Sequence, residues 1–118
     1  EEIAITTLDA ALAELGVDRV DLIKMDIEGW EAHAFAGMRE TLVRDRPAIF
    51  FEYAPARIRR AGRDPYAMLR GLVRLGYDLF AIDERTAELI PIRDGDERLR
   101  RLKRQDDYVN VFAETGKN

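Results

Sequence analysis

The chain has 118 residues, of which 47% are hydrophobic and 36% charged, with a formal net charge of −4. That is the length and balance of one soluble domain with a modest core, and its charge does not favour nucleic acid as a partner. Cysteine is absent, which excludes disulfides and thiolate metal sites, and no apolar run approaches the roughly 18 residues of a membrane span.

The first residues, Glu1 and Glu2, are unlike a signal peptide. The chain starts without Met and is expected to begin inside a longer, cytoplasmic protein. Ile3 to Thr7 alternates as a short extended segment. Thr7 or Asp9 then caps a helix through Leu15, with Leu8, Ala11, Leu12 and Leu15 as its apolar stripe, and Gly16 ends it. Val20 to Asp26 is apolar on both faces apart from Lys24, the pattern of a buried parallel strand.

Trp30 to Val43 gives the strongest helical periodicity, with Trp30, Ala34, Phe35, Met38 and Leu42 on one face. Pro47 closes it. Ala48 to Tyr53 is a second strand, carrying Glu52 near its end. Asp64-Pro65 has the form of a helix start, followed by Met68, Leu69, Leu72, Val73 and Leu75 as the apolar face and Gly76 as the stop. Tyr77 to Ile82 is a third strand. Asp83 to Thr86 turns into another, Ala87 to Ile92. Residues 93–105 read as a polar loop with some helix, and Tyr108 to Ala113 as a final strand. Alternating strands and helices predict a largely parallel α/β sheet with right-handed crossovers.

Chemistry gathers where the apolar run at 20–26 stops. Val20-Asp21-Leu22-Ile23-Lys24-Met25-Asp26-Ile27-Glu28-Gly29-Trp30-Glu31 ends in carboxylates and a glycine before a helix. Ligands of open α/β sheets bind beyond such strand ends. Asp26 and Glu28, two apart, share a side of an extended chain, and Glu52 at the neighbouring strand end would face the same crevice. Plainer readings stand beside this one. Asp26 and Glu28 are also suited to cap the following helix, and Glu52 to pair with an arginine such as Arg57. His33, about 200° around the helix from Phe35, is placed on the solvated face. Trp30 reads as a core anchor or lid rather than a substrate platform. The basic clusters Arg57, Arg59, Arg60, Arg63 and Arg98, Arg100, Arg101, Lys103, Arg104 read as a solvated face rather than an RNA groove, or as contacts to a charged acceptor.

These residues resemble the C-terminal half of an S-adenosylmethionine-dependent methyltransferase of the FkbM type. The family's "TLD" turn is matched by Thr7-Leu8-Asp9, its "IDLIKIDVEGxE" by Val20 to Glu31, and its "LxGA" by Phe35-Ala36-Gly37-Met38. Its proline and Glu-ending strand are matched by Pro47 and Ile49 to Glu52, and its terminal "NxxA" strand by Val109 to Ala113. The resemblance implies a Rossmann-like methyltransferase sheet, mostly parallel with an antiparallel terminal strand, of which residues 1–118 form the C-terminal portion. The terminal strand would slot between the strands at 48–53 and 77–82. No GxGxG occurs, and the eight glycines are scattered, so the glycine-rich cofactor loop and the acidic residue for the ribose are absent. The strand at 20–26 would then present an unpaired edge, a risk for self-association.

The resemblance implies S-adenosylmethionine as cofactor in the intact enzyme, and a small molecule or sugar that receives the methyl on a hydroxyl. Asp26 would face the cofactor, and Glu28 and Glu52 would serve catalysis on the acceptor side. Magnesium held by Asp26 and Glu52 is disfavoured, because Tyr53 stands where such sites favour an amide. Neither nucleic acid nor membrane is expected as a partner. The alternative is a non-catalytic α/β module that associates through its exposed sheet edge.

Overall fold

In a computed structural model of the chain, residues 6–116 are described. Eleven elements follow one another: α1 (Leu8–Leu15), β1 (Leu22–Met25), α2 (Glu31–Ala36), α3 (Arg39–Asp45), β2 (Ala48–Tyr53), α4 (Pro55–Arg60), α5 (Pro65–Arg74), β3 (Tyr77–Ile82), β4 (Leu89–Pro91), α6 (Glu97–Arg100) and β5 (Val109–Thr115). The strands form one sheet in the order β1-β2-β5-β3-β4.

The sheet is α/β and open, but it is mixed and mostly antiparallel rather than mostly parallel. Only β1 and β2 pair in parallel, with Met25 beside Phe51. β5 runs antiparallel to both β2 and β3, and β4 antiparallel to β3. The physical reason is connectivity. β1, β2 and β3 all point the same way, as their helical crossovers require, but β5 separates β2 from β3 and takes up the hydrogen bonds that would have made them parallel neighbours. The short turn from β3 to β4 permits only an antiparallel return. The placement of β5 between the strands at 48–53 and 77–82 is the one expected.

The core lies between one sheet face and the helices. Ile49, Phe51 and Tyr53 of β2, Tyr77 and Leu79 of β3, and Val111 and Ala113 of β5 meet Phe35, Met38, Leu42, Ile58, Met68, Leu69, Leu72 and Leu99. Alternation along each strand sends every second residue to this face. The opposite face carries Phe50, Phe112 and Phe80 in register, each half-buried. β1 is an edge strand among the described residues. Its Leu22 is 63% exposed, so the strand is not buried on both faces as expected.

The expected long helix from Trp30 to Val43 is two helices broken at Gly37 and Met38. The turn that opens α1 causes the break. The Asp9 N–H donates to the Gly37 carbonyl at 3.0 Å, and the Asp9 carboxylate accepts from the backbone N–H groups of Glu40 and Thr41 and from the Thr41 hydroxyl. Asp9 thus supplies the cap that Met38, at the N-cap of α3, lacks. Thr7 caps α1 by accepting from the Ala10 N–H, and Gly16 at φ 71° ends it, as expected. The expected apolar stripe of α1 is not buried: Leu15 is 75% exposed, and only Leu8 packs on the core. Of the expected extended segment at residues 3–7, Thr7 has an extended backbone (φ −88°, ψ 160°), Thr6 and Thr7 join no strand, and the rest lies outside the described residues.

Asp64 caps α5 through two backbone N–H groups, and Gly76 follows it at φ 101°. The helix α4 was not expected. Among the described residues no helix is long and apolar enough to cross a membrane.

Candidate functional site at the tip of β1

β1 ends at Met25, and the next residues leave the extended conformation at once. Glu28 has φ 52° and Gly29 φ 102°, so Asp26 and Glu28 do not share a side of a continuing strand. The turn is held by a residue that the sequence reading gave no role. Glu31 is fully buried, and its carboxylate accepts from the N–H of Gly29 at 2.9 Å and of Ile27 at 3.2 Å. The helix start after the turn carries no side-chain cap on its N-cap residue, Trp30; neither Asp26 nor Glu28 caps α2. The available signal was the spacing Glu-Gly-Trp-Glu, in which a carboxylate in the first helical turn reaches back to free N–H groups.

The turn rests on α4. A Cβ at Gly29 would lie 2.7 Å from both the Cβ and the carbonyl oxygen of Arg57, so only glycine permits this approach. Arg57 is the hub of the site. Its Nη1 lies 3.5 Å from Glu28 Oε1 and 3.9 Å from Glu52 Oε1, its Nη2 donates to Asp106 at 2.9 Å, and its Nε donates to the Gln105 carbonyl at 3.1 Å. The pairing of Glu52 with Arg57 foreseen in the sequence is therefore present, and it brings Glu28 and Glu52 to one guanidinium. These pairings raise the pKa of Arg57, led by the Asp106 hydrogen bond, and the charge is fixed in any case.

Glu52 is half-buried. Burial pushes its carboxyl above the ordinary range, Asp26 adds to the rise, Arg57 opposes it, and Glu31 and Glu28 add smaller pushes. Asp26 therefore acts on Glu52 through space, as the register places it: Met25 pairs with Phe51, and each carboxylate is the next residue along the chain. Asp26 itself is exposed and forms no ion pair among the described residues. Tyr53 alternates to the buried face and cannot join Glu52. Among the described residues no three His, Asp or Glu side chains are grouped to hold a metal ion.

His33 is not on a solvated face. It is half-buried, its Nε2 lies 2.8 Å from the Ala61 carbonyl, and so that nitrogen carries the proton. Its ring lies on Trp30, with centroids 4.5 Å apart. Trp30 is 55% exposed, so it is not a core anchor. With Glu28, Arg57, Arg60 and Asp106 it lines a cleft of about 460 Å³. A groove of about 580 Å³ between α2–α3 and α5 lies away from these carboxylates.

A family model described as methyltransferase FkbM domain matches residues 1–79. The match takes in the Asp9 cap, the β1 tip, Glu52 and Arg57; Gln105 and Asp106, which complete the arginine's shell, lie beyond it. No curated protein and no solved structure matches the chain.

Proposed function

We propose, from the premise that this chain belongs to the methyltransferase FkbM domain family, that it serves an S-adenosylmethionine-dependent O-methyltransferase. Its acceptor would be a hydroxyl of a small molecule or sugar, and the chain would be the C-terminal portion of the catalytic domain. The observation that carries the reading is the register of Met25 beside Phe51, which sets Asp26 and the half-buried Glu52 next along the chain at adjacent strand ends.

The residues fit the cofactor in one respect. Asp26, exposed and without an ion pair among the described residues, is suited to the ammonium group at the cofactor's methionine end. Gly29 offers no cradle, because Arg57 fills the space beside it. When bound, the cofactor supplies an electrophilic methyl on a sulfonium. Alignment of the acceptor oxygen then does most of the work. Glu28 and Arg57 orient the acceptor, and Trp30 gives it an exposed ring to lie against. Glu52 takes the hydroxyl proton. Its raised pKa makes it a better base than an ordinary carboxylate, and such assistance is worth about 10²–10⁴-fold.

The test is calorimetric titration of S-adenosylmethionine into the intact protein and its Asp26→Asn variant. The variant should bind about tenfold more weakly, or about 1.4 kcal/mol. Equal affinity would remove Asp26 from the cofactor site.

A further inference from the structure

The two basic segments that flank the site in the sequence meet in space. Arg59 of α4 and Arg100, Arg101 and Lys103 around the end of α6 line one cleft of about 610 Å³, together with Tyr53 and Tyr66. Glu97 is the only acidic residue among those that line it. None of the four cations forms an ion pair among the described residues, whereas Arg19, Arg44, Arg57 and Arg98 each do. A chain with net charge −4 thus concentrates uncompensated positive charge in one concavity. Such focusing attracts a multiply charged anion.

The floor of the cleft adds a second, independent observation. Tyr53 lines the cleft although the residue as a whole is 1% exposed, and its hydroxyl makes no hydrogen bond among the described residues without being sealed from solvent. Burial also holds this phenol well above its ordinary pKa, so it remains a donor.

We propose that this cleft binds the phosphate group of a phosphate ester, with Arg59, Arg100, Arg101 and Lys103 on its oxygens and the Tyr53 hydroxyl donating from the floor. A dianion with several acceptor oxygens matches convergent guanidinium groups better than a single carboxylate does. A nucleic-acid strand would want a row of stacking aromatics, and Tyr66 is the one exposed ring here. The site is separate from the cleft beside Trp30 and Arg57: α4 sends Arg59 to one and Arg60 to the other. Binding here does not depend on methyl transfer.

The experiment titrates inorganic pyrophosphate and glucose 1-phosphate into the intact protein at near-physiological salt, and measures co-sedimentation with phosphatidic acid vesicles. Saturable binding of at least one probe is expected. Soluble probes alone would mark a free phosphate ester, and vesicles alone a lipid headgroup. The triple variant Arg100→Ala, Arg101→Ala, Lys103→Ala should lose at least tenfold in affinity, and Tyr53→Phe about threefold, with thermal unfolding of the triple variant unchanged because its side chains are on the surface. Arg70→Ala with Arg74→Ala, on α5 outside the cleft, should change nothing. Absence of saturable binding for all three probes overturns the proposal. So does an equal loss in the α5 variant, which would reduce the effect to diffuse screening.

Discussion

The backbone of Gly29 lies against Arg57 so closely that a Cβ at position 29 would touch both the side chain and the carbonyl of the arginine at 2.7 Å. Backbone cannot swing aside as a long side chain can. Gly29→Ala should therefore destabilise the fold by about 3 kcal/mol, from a strained positive φ and an overpacked contact together. Urea unfolding measures it. The displaced arginine should also lose its hold on Glu28 and Glu52.

Glu31→Ala should cost about 2–4 kcal/mol, because it leaves the buried N–H of Gly29 and the part-buried N–H of Ile27 without their acceptor. Glu31→Gln keeps one acceptor oxygen and should cost less. Denaturant melts of both variants check the order. Equal costs would show that charge, rather than hydrogen bonding, holds the turn.

The charges around Glu52 can be read one at a time by carboxyl NMR. Its pKa should lie above 4.5. Asp26→Asn should lower it by removing a neighbouring negative charge, and Arg57→Met should raise it further. Between 4.5 and the raised folded value the native state holds more proton than the unfolded chain, so this group makes stability fall as pH rises. Glu52→Gln should accordingly be more stable than wild type at neutral pH, with the gain disappearing below pH 4.5.

Asp9 shows the reverse dependence. Burial by itself would raise its pKa, but hydrogen bonds from the Thr41 hydroxyl and the Glu40 and Thr41 N–H groups outweigh that and lower it. Its contribution is present above the ordinary value of 3.8 and is lost as pH falls through the folded value. Asp9→Asn should cost about 1 kcal/mol, the usual worth of a cap, and the difference from wild type should shrink in acid. Thermal melts between pH 2 and pH 7 test this.

The strands at 48–53 and 77–82 were legible because Pro47 and Gly76 bound them and each is a short, nearly unbroken apolar run. The place of β5 was legible from the resemblance. Its antiparallel direction was legible from the same source, but the expectation of a mostly parallel sheet overlooked that this placement, with the return of β4, leaves only β1 and β2 paired in parallel. α4 escaped notice because six residues with Pro55 and Ile58 as its buried members are too few for a period to show. The break between α2 and α3 hid inside an unbroken apolar stripe; Asp9, distant in sequence, imposes it. At the site, Asp26, Glu28 and Glu52 stood out as acids near strand ends. Arg57 was visible as a partner for Glu52 but not as the hub that also gathers Glu28, Asp106 and the Gln105 carbonyl, and Glu31 was visible only as a letter in a motif, because no sequence pattern tells which backbone amides a carboxylate will meet. Trp30 misled because a large ring on an apolar stripe usually turns inward, and here it lies at the helix start, beside the cleft.

The central position of β5 has a bearing on how the polypeptide can be made. β2 and β3 emerge from the ribosome well before the strand that joins them, and each must wait with its inner edge open until residues 109–115 arrive. Such distant pairings fold slowly and leave transient edges prone to aggregation. A premature stop ahead of Val109 would strip out the keystone of the sheet, not a dispensable tail, and the truncated product would be expected in the insoluble fraction.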